Sequence, residues 1–243
     1  MHSHQNTGLV GRGRVRHTDL PSEQRSFGFG GIRARFRNHP GRVLRCVDPF
    51  TADIAYFGSP LQYENWLLRR FEPSVIYIDH TRDEFSVLHR GRLRCLRPHL
   101  HWAEWETPGC IDLVVEPGKE LPSSIADTLD IVARAHHLVP SIRTAVEIRS
   151  APILLDCLDR ARQRIALHMR EVRDERICRQ VLRQANSHPC NTRSDLVASL
   201  AEEGDGFPGQ LVDAVLFWLR QIGMVHFNLS GGSYGDETII TAA

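Results

Sequence analysis

One lysine, Lys119, stands in this chain against 29 arginines. Chemistry that needs an ammonium group beside a reacting atom therefore has a single candidate. Long apolar runs are also missing. No stretch reaches the ~18 residues that a transmembrane helix requires, so no membrane association is expected. The first residues lack the apolar core of a secretory signal. The six cysteines, Cys46, Cys95, Cys110, Cys157, Cys178 and Cys190, are scattered and form no Cys-x-x-Cys pair. Their spacing argues against a disulfide framework or a zinc knuckle and suits a reducing compartment, so a cytoplasmic location is expected. A nucleotide-binding glycine loop and a nucleophile elbow are likewise absent.

What is present fits a soluble globular chain of 243 residues, 42% apolar and 24% charged, long enough for one large domain or two ordinary ones. A net charge of +1 does not compel a nucleic-acid partner. Its distribution says more. Arg12, Arg14, Arg16, Arg25, Arg33, Arg35, Arg37, Arg42 and Arg45 precede Cys46, against only Asp19 and Glu23. Residues 1–40 read as a basic, mobile arm. Arg33, Arg35 and Arg37 are candidates to track phosphates, the alternative being a solvated tail.

Along the chain, 42–47 and 53–57 read as short strands about a turn at Asp48-Pro49. Ser59 reads as an N-cap with Pro60 at the first helical position, opening a helix that ends near Arg70. Residues 75–79, 85–89 and 93–100 are β-rich, with a turn at Arg90-Gly91. Residues 111–115 suit a buried strand, 124–137 a helix capped by Ser123 or Ser124, and 142–145 one more strand. The first part, 41–151, thus reads as a mixed α/β domain with a helix ahead of its central strands. From Pro152 the character becomes helical and rich in arginine and acids. Asn191-Thr192 caps a helix over 193–203, Pro208 opens another that Gly223 stops, and 225–229 with 238–241 read as a hairpin with a glycine-rich tip. Three helices and a hairpin are the order of a winged-helix module, so 152–243 reads as a helical linker and winged helix.

Four stretches carry a family resemblance. They are Ser59-Pro60-Leu61-Gln62-Tyr63-Glu64 with Phe71-Glu72-Pro73-Ser74-Val75; Arg97-Pro98-His99-Leu100; Val114-Val115-Glu116-Pro117; and Thr144-Ala145-Val146-Glu147-Ile148-Arg149 with Pro152. In this order and spacing they resemble the TnsA family, the endonuclease subunit of heteromeric bacterial transposases. The resemblance covers roughly residues 40–155. It implies a restriction-endonuclease-like mixed sheet domain, followed by a winged helix, working beside a DDE-type transposase and an AAA+ ATPase regulator on transposon DNA.

Such nucleases hold Mg²⁺ with carboxylates from a helix and a strand, and a lysine on the adjacent strand offsets charge developing on the phosphate. Carried over, the helix carboxylate falls at Gln62, the strand carboxylate at His99, and the following pair at Val114 and Glu116. Gln62 offers no negative charge, and His99 is a softer ligand poorly matched to Mg²⁺. Glu116 inverts the sign where a lysine belongs. Sliding the register to Asp112-Leu113-Val114 supplies no lysine, and Lys119, beyond Pro117-Gly118, is expected off the strand. Glu64 lies about 200° around the helix from Gln62. The expectation is a catalytically degenerate member with no metal and no cofactor.

Other candidates have ordinary readings beside them. His99 and His101 share a strand face, a spacing seen in metal sites, but lack an obvious third ligand beyond Glu104 or Glu116. His136-His137 complements a helix end. Trp66, Trp102 and Trp105 suit a core better than base stacking. In the C-terminal module Gln210, Asp213, Phe217, Trp218 and Arg220 are read as non-core positions of a recognition helix, with Arg193 and Ser233 flanking phosphates; the rival is protein docking through Phe217 and Trp218. Two further functions stay open. One is an active endonuclease with a rearranged, Mg²⁺-dependent site using His99, Glu64 and Asp112. The other is a winged-helix transcription regulator.

Overall fold

A computed structural model describes residues 43–80, 84–187, 191–202, 207–229 and 234–243. Arg33, Arg35 and Arg37 with the rest of the basic arm, and Ser233 with most of the glycine-rich tip, lie outside the described residues. Leu44–Val47 (β1) and Ile54–Phe57 (β2) form an antiparallel hairpin. Asp48 ties its turn, accepting from the Phe50 N–H and from Arg70 Nε, each at 2.9 Å. Ser59 and Pro60 then start Pro60–Arg70 (α1) as read. Ser59 Oγ accepts from the Gln62 N–H at 3.2 Å, pairing one of the donors that a helix start leaves open.

Val75–Asp79 (β3) follows, and then a separate two-stranded hairpin, Phe85–His89 (β4) with Arg92–Leu96 (β5). Arg90 and Gly91 both have positive φ, +49° and +73°, the backbone a two-residue hairpin turn demands. The run read as one strand over 93–100 is in fact broken at Arg97-Pro98-His99. Pro98 has no N–H to give a ladder and restricts the residue before it, so β5 ends at Leu96 and a new strand, Leu100–Glu104 (β6), begins. Cys110–Val115 (β7), Ser123–Ala135 (α2) and Val139–Thr144 (β8) complete the first half. α2 starts after Pro122 with no side-chain cap, so Ser123 and Ser124 sit in its first turn rather than before it.

The central sheet runs β3-β6-β7-β8, antiparallel except for β7 and β8, which are parallel and joined through α2. The protein is therefore mixed α/β with a mixed sheet. β7 is buried on both faces, as its apolar run suggested. On one face Val114 packs with Leu61 of α1; on the other Ile111 and Leu113 pack with Leu129, Val132 and Ala133 of α2. Two helices thus sandwich the strand that carries the cleft described below.

The second half contains Ala145–Ile148 (α3), Pro152–Leu167 (α4), a short 3-10 turn at Glu171–Arg173, Glu175–Ser187 (α5), Asn191–Thr192 (β9), Arg193–Glu202 (α6), Gly209–Gln221 (α7), Val225–His226 (β10) and Ile239–Ala242 (β11). Seven α-helices are present among the described residues, none long and apolar enough to cross a membrane. A small sheet has the order β10-β11-β9, so the two-residue strand ahead of α6 joins the hairpin after α7. The described residues belong to one compact unit, and a single apolar cluster runs from Ala55, Trp66 and Phe71 to Leu158, Val215 and Phe217.

Two tyrosines brace this core. The Tyr63 hydroxyl donates to Asp159 and accepts from Arg162 Nε at 2.8 Å, while that of Tyr234 donates to Asp213 Oδ1 at 2.9 Å. Burial, helped by the neighbouring carboxylates, pushes both phenols above the ordinary tyrosine value of 10. A raised folded-state pKa means the unfolded chain loses these protons first. Their stability is present in full below pH 10 and declines as pH rises through it. Thermal melts from about pH 9 to about pH 11 are expected to fall with pH, and less steeply for a Tyr63→Phe, Tyr234→Phe variant.

Candidate functional site

Gln62, His99, Val114 and Glu116 come together. They line one open cleft of about 850 Å³ with Ser59, Val115, Pro117, Lys119, Glu120 and Leu121. Three elements build it: the first turn of α1, the C-terminal end of β7, and the residue just ahead of β6. Strand alternation places Asp112, Val114 and Glu116 on the α1 side of β7. The Pro98 break sets His99 beside them, where its backbone N–H donates to Asp112 O at 3.0 Å.

Gln62, His99 and Glu116 are each held by protein partners. Gln62 turns back along the helix start and its amide oxygen accepts from the Gly58 N–H at 3.0 Å. The Val114 N–H donates to His99 Nδ1 at 2.7 Å, so the imidazole fills a gap in the sheet ladder, and that nitrogen has no lone pair left for a metal. Glu116 accepts from the Ser59 hydroxyl, putting a carboxylate at the N-terminal end of α1, where the helix dipole favours an anion. Sequence reading took Ser59 only for a cap. Its second role, bridging α1 to the end of β7, depends on a contact 57 residues away in the chain.

These donors do not fit Mg²⁺. A hard cation wants several oxygens with negative charge, and the three family positions offer one amide oxygen already engaged, an imidazole, and a carboxylate tied to a hydroxyl, with Glu120 the one further carboxylate on the wall. Lys119 lies off the strand, as expected, yet it lines the cleft. Its N–H donates to Glu116 O at 3.1 Å across a tight turn in which Gly118 has φ +73°, and this turn brings the lysine onto the cleft wall. Only glycine adopts that conformation without strain, so the Pro117-Gly118 pair steers the chain back instead of carrying it away.

The rearranged set of Glu64, Asp112 and His99 is not assembled. Glu64 is gripped by Arg149, whose Nε and Nη2 lie 2.6 and 3.0 Å from its two oxygens. Asp112 has no exposed surface. Its Oδ2 accepts from Asn65 Nδ2 at 2.9 Å and Arg69 Nε at 3.2 Å, and its Oδ1 from Trp102 Nε1 at 3.0 Å. The Arg69 guanidinium lies 4.1 Å over the Trp102 ring. Asp112 is thus the hub joining α1 to the sheet. His101 is buried and Trp66 and Trp102 belong to the core, while Trp105 is exposed.

Of the candidate DNA-contacting residues of the C-terminal half, Arg193 and Arg220 are engaged by protein partners. Gln210 is exposed at the start of α7. Arg193 donates to Asp213 from Nε and Nη2, at 2.7 and 3.0 Å, and to Asp236 from Nη1 at 2.5 Å. Those carboxylates hold its pKa above the usual arginine value. Arg220 donates to Phe71 O at 2.9 Å and lies over the Phe227 ring; burial pushes its pKa down. Asp213 and Phe217 are core residues, contrary to their reading as non-core positions. Trp218 stacks on Phe50. The reason is that α7 packs on several sides, against α4, α5 and β10. Its run Ala214-Val215-Leu216-Phe217-Trp218-Leu219, apolar all round, is the signal of such burial.

No protein-family model matches the chain, and no curated protein matches it significantly.

Proposed function

We propose that this chain is a catalytically inactive TnsA-like protein: a degenerate restriction-endonuclease-like domain followed by a winged helix, holding a DDE-type transposase and an AAA+ ATPase regulator together at transposon DNA. The observation that carries the reading is the convergence of Gln62, His99, Val114 and Glu116 in one cleft. Motif alone picks out those positions, from three segments spread over more than 50 residues of the chain. Each has the wrong charge or ligand type for metal-assisted phosphodiester cleavage. Two features of the fold support it. A helix, an antiparallel three-strand run, a second helix and a parallel fourth strand suit a nuclease-like core. In the second half, the order α5, β9, α6, α7, β10, β11, with β9 joining the hairpin, suits a winged helix.

The proposal has a direct consequence for mechanism. A transposition system built on this subunit lacks second-strand cutting by it, and the cleft serves as scaffold. The test is biochemical and genetic together. The genes beside this one are expected to encode a transposase and an ATPase, and co-expression of the three products is expected to yield one complex. An isolated gene next to a regulated promoter, with no such complex, would replace this reading with that of a transcription regulator.

A further inference from the structure

A second groove lies on the α2 side of the sheet, between α2 and the β4–β5 hairpin. Its volume is about 600 Å³, and four arginines line it: Arg90, Arg92, Arg94 and Arg134, with His89, Ile131, Asp127 and Asp130. The hairpin reverses the usual arrangement. Leu88 and Leu93 face outward and are 73% and 66% exposed, while alternation along β5 turns Arg92 and Arg94 to the side of buried Leu96. Neighbours on one face of a strand are about 6.6 Å apart, so these guanidiniums form a row. Arg134 of α2 faces the row across the groove.

Several arginines of the folded unit are already committed. Arg69, Arg70, Arg149, Arg162, Arg164 and Arg193 each lie within 4.0 Å of a carboxylate. The four groove arginines have no such partner among the described residues, although Asp127 and Asp130 share the groove with them. Arg94 Nε is shielded from solvent and has no hydrogen-bond partner among the described residues. A guanidinium nitrogen left in that state calls for an acceptor supplied from outside.

We propose that this groove binds the phosphodiester backbone of nucleic acid. Guanidinium forks suit phosphate oxygens in pairs, and a row of them with an opposing arginine suits successive phosphates on a chain. The open volume exceeds what one inorganic anion fills. His89, Ile131 and the two aspartates form the remainder of the wall, and the aspartates set a limit on the total charge. The site does not depend on the TnsA-like reading, because it lies on a different face of the sheet from the cleft holding Gln62 and Glu116.

Fluorescence anisotropy of the full chain with a short DNA duplex, measured across a salt series, tests the site. Arg92→Gln, Arg94→Gln, Arg134→Gln is expected to weaken binding and to lower the slope of log K against log salt by about 3, since each neutralised phosphate adds about 0.9. Lysine at the same three positions is expected to keep the slope while losing affinity. Arg160→Gln, on an exposed pair with Asp156, serves as control and is expected to lower the slope by no more than about 1. An unchanged slope in the folded glutamine variant overturns the proposal. So does absence of wild-type binding, or equal loss with lysine, which marks a structural role. Saturation of the groove by inorganic phosphate alone, without competition by DNA, assigns it to a small anion and overturns it too.

Discussion

Gln62→Glu, His99→Asp and Glu116→Lys together are expected to convert this protein into a Mg²⁺-dependent nicking enzyme. The three side chains already share one cleft, so the change supplies charge and ligand type without moving the backbone. Glutamate at 62 keeps an acceptor for the Gly58 N–H and adds an anion for the metal. Aspartate at 99 still accepts from the Val114 N–H and replaces a soft nitrogen by a hard oxygen. Lysine at 116 releases Ser59 and puts a cation where phosphate charge develops. One preorganised group of that kind is worth roughly 10²–10³ in rate, so nicking is expected at least about a hundredfold above the wild-type background. Relaxation of supercoiled plasmid with and without Mg²⁺ measures it. Any two of the three substitutions are expected to fall well short, because metal, water and leaving oxygen must be held at once.

Asp112→Ala is expected to act on stability. The carboxylate is inaccessible to solvent and satisfies three donors from two elements: Asn65 and Arg69 of α1 and Trp102 of β6. Removing it leaves two buried N–H groups unpaired and a guanidinium without its counter-charge. Loss of one partner from a buried pair costs about 3–5 kcal/mol, the lower end applying here because the Arg69 side chain keeps 22% of its surface. For a chain of this size that lowers Tm by roughly 6–12 °C. Asp156→Ala, which removes an exposed i,i+4 partner of Arg160, is expected to change stability by less than about 0.5 kcal/mol. The pair of measurements separates a structural carboxylate from a metal ligand, because a ligand lost from a metal site leaves the apo fold largely intact.

Local signals in the sequence marked the elements well where one rule dominated. Ser59-Pro60 placed the start of α1, Arg90-Gly91 placed a hairpin turn, and the apolar run at 111–115 placed the buried strand β7. The cleft positions were legible only through the motif resemblance; the structure brings them together because the α1 face of β7 meets the first turn of α1. What stayed hidden depends on contacts far apart in sequence. Pro98 splits a β-rich run that propensity alone joins. Asp112, a charged residue within an apolar strand, carries no local hint that Asn65, Arg69 and Trp102 will meet it. β9 is two residues long and exists only because β11 pairs with it. Lys119 was set aside because Pro117-Gly118 interrupts the strand, yet that interruption is what turns it back to the cleft. Arg193, a candidate to flank phosphates beside the wing, is instead occupied by Asp213 and Asp236.

The arginine groove shows the same limit from the other side. Arg90-Gly91-Arg92-Leu93-Arg94 has the alternation of a strand with arginine on one face and leucine on the other. Periodicity tells that the faces differ, but not which one meets α2. Burial of Leu96 and exposure of Leu93 settle the orientation.

The central claim is that a nuclease-shaped cleft has lost the groups that hold a metal and assist attack on phosphate. Incubating the purified wild-type protein with nicked and intact DNA duplexes, in Mg²⁺ or in Mn²⁺, tests it most directly. No cleavage above the metal-free control is the result expected. Robust cleavage that His99→Ala abolishes would contradict the claim.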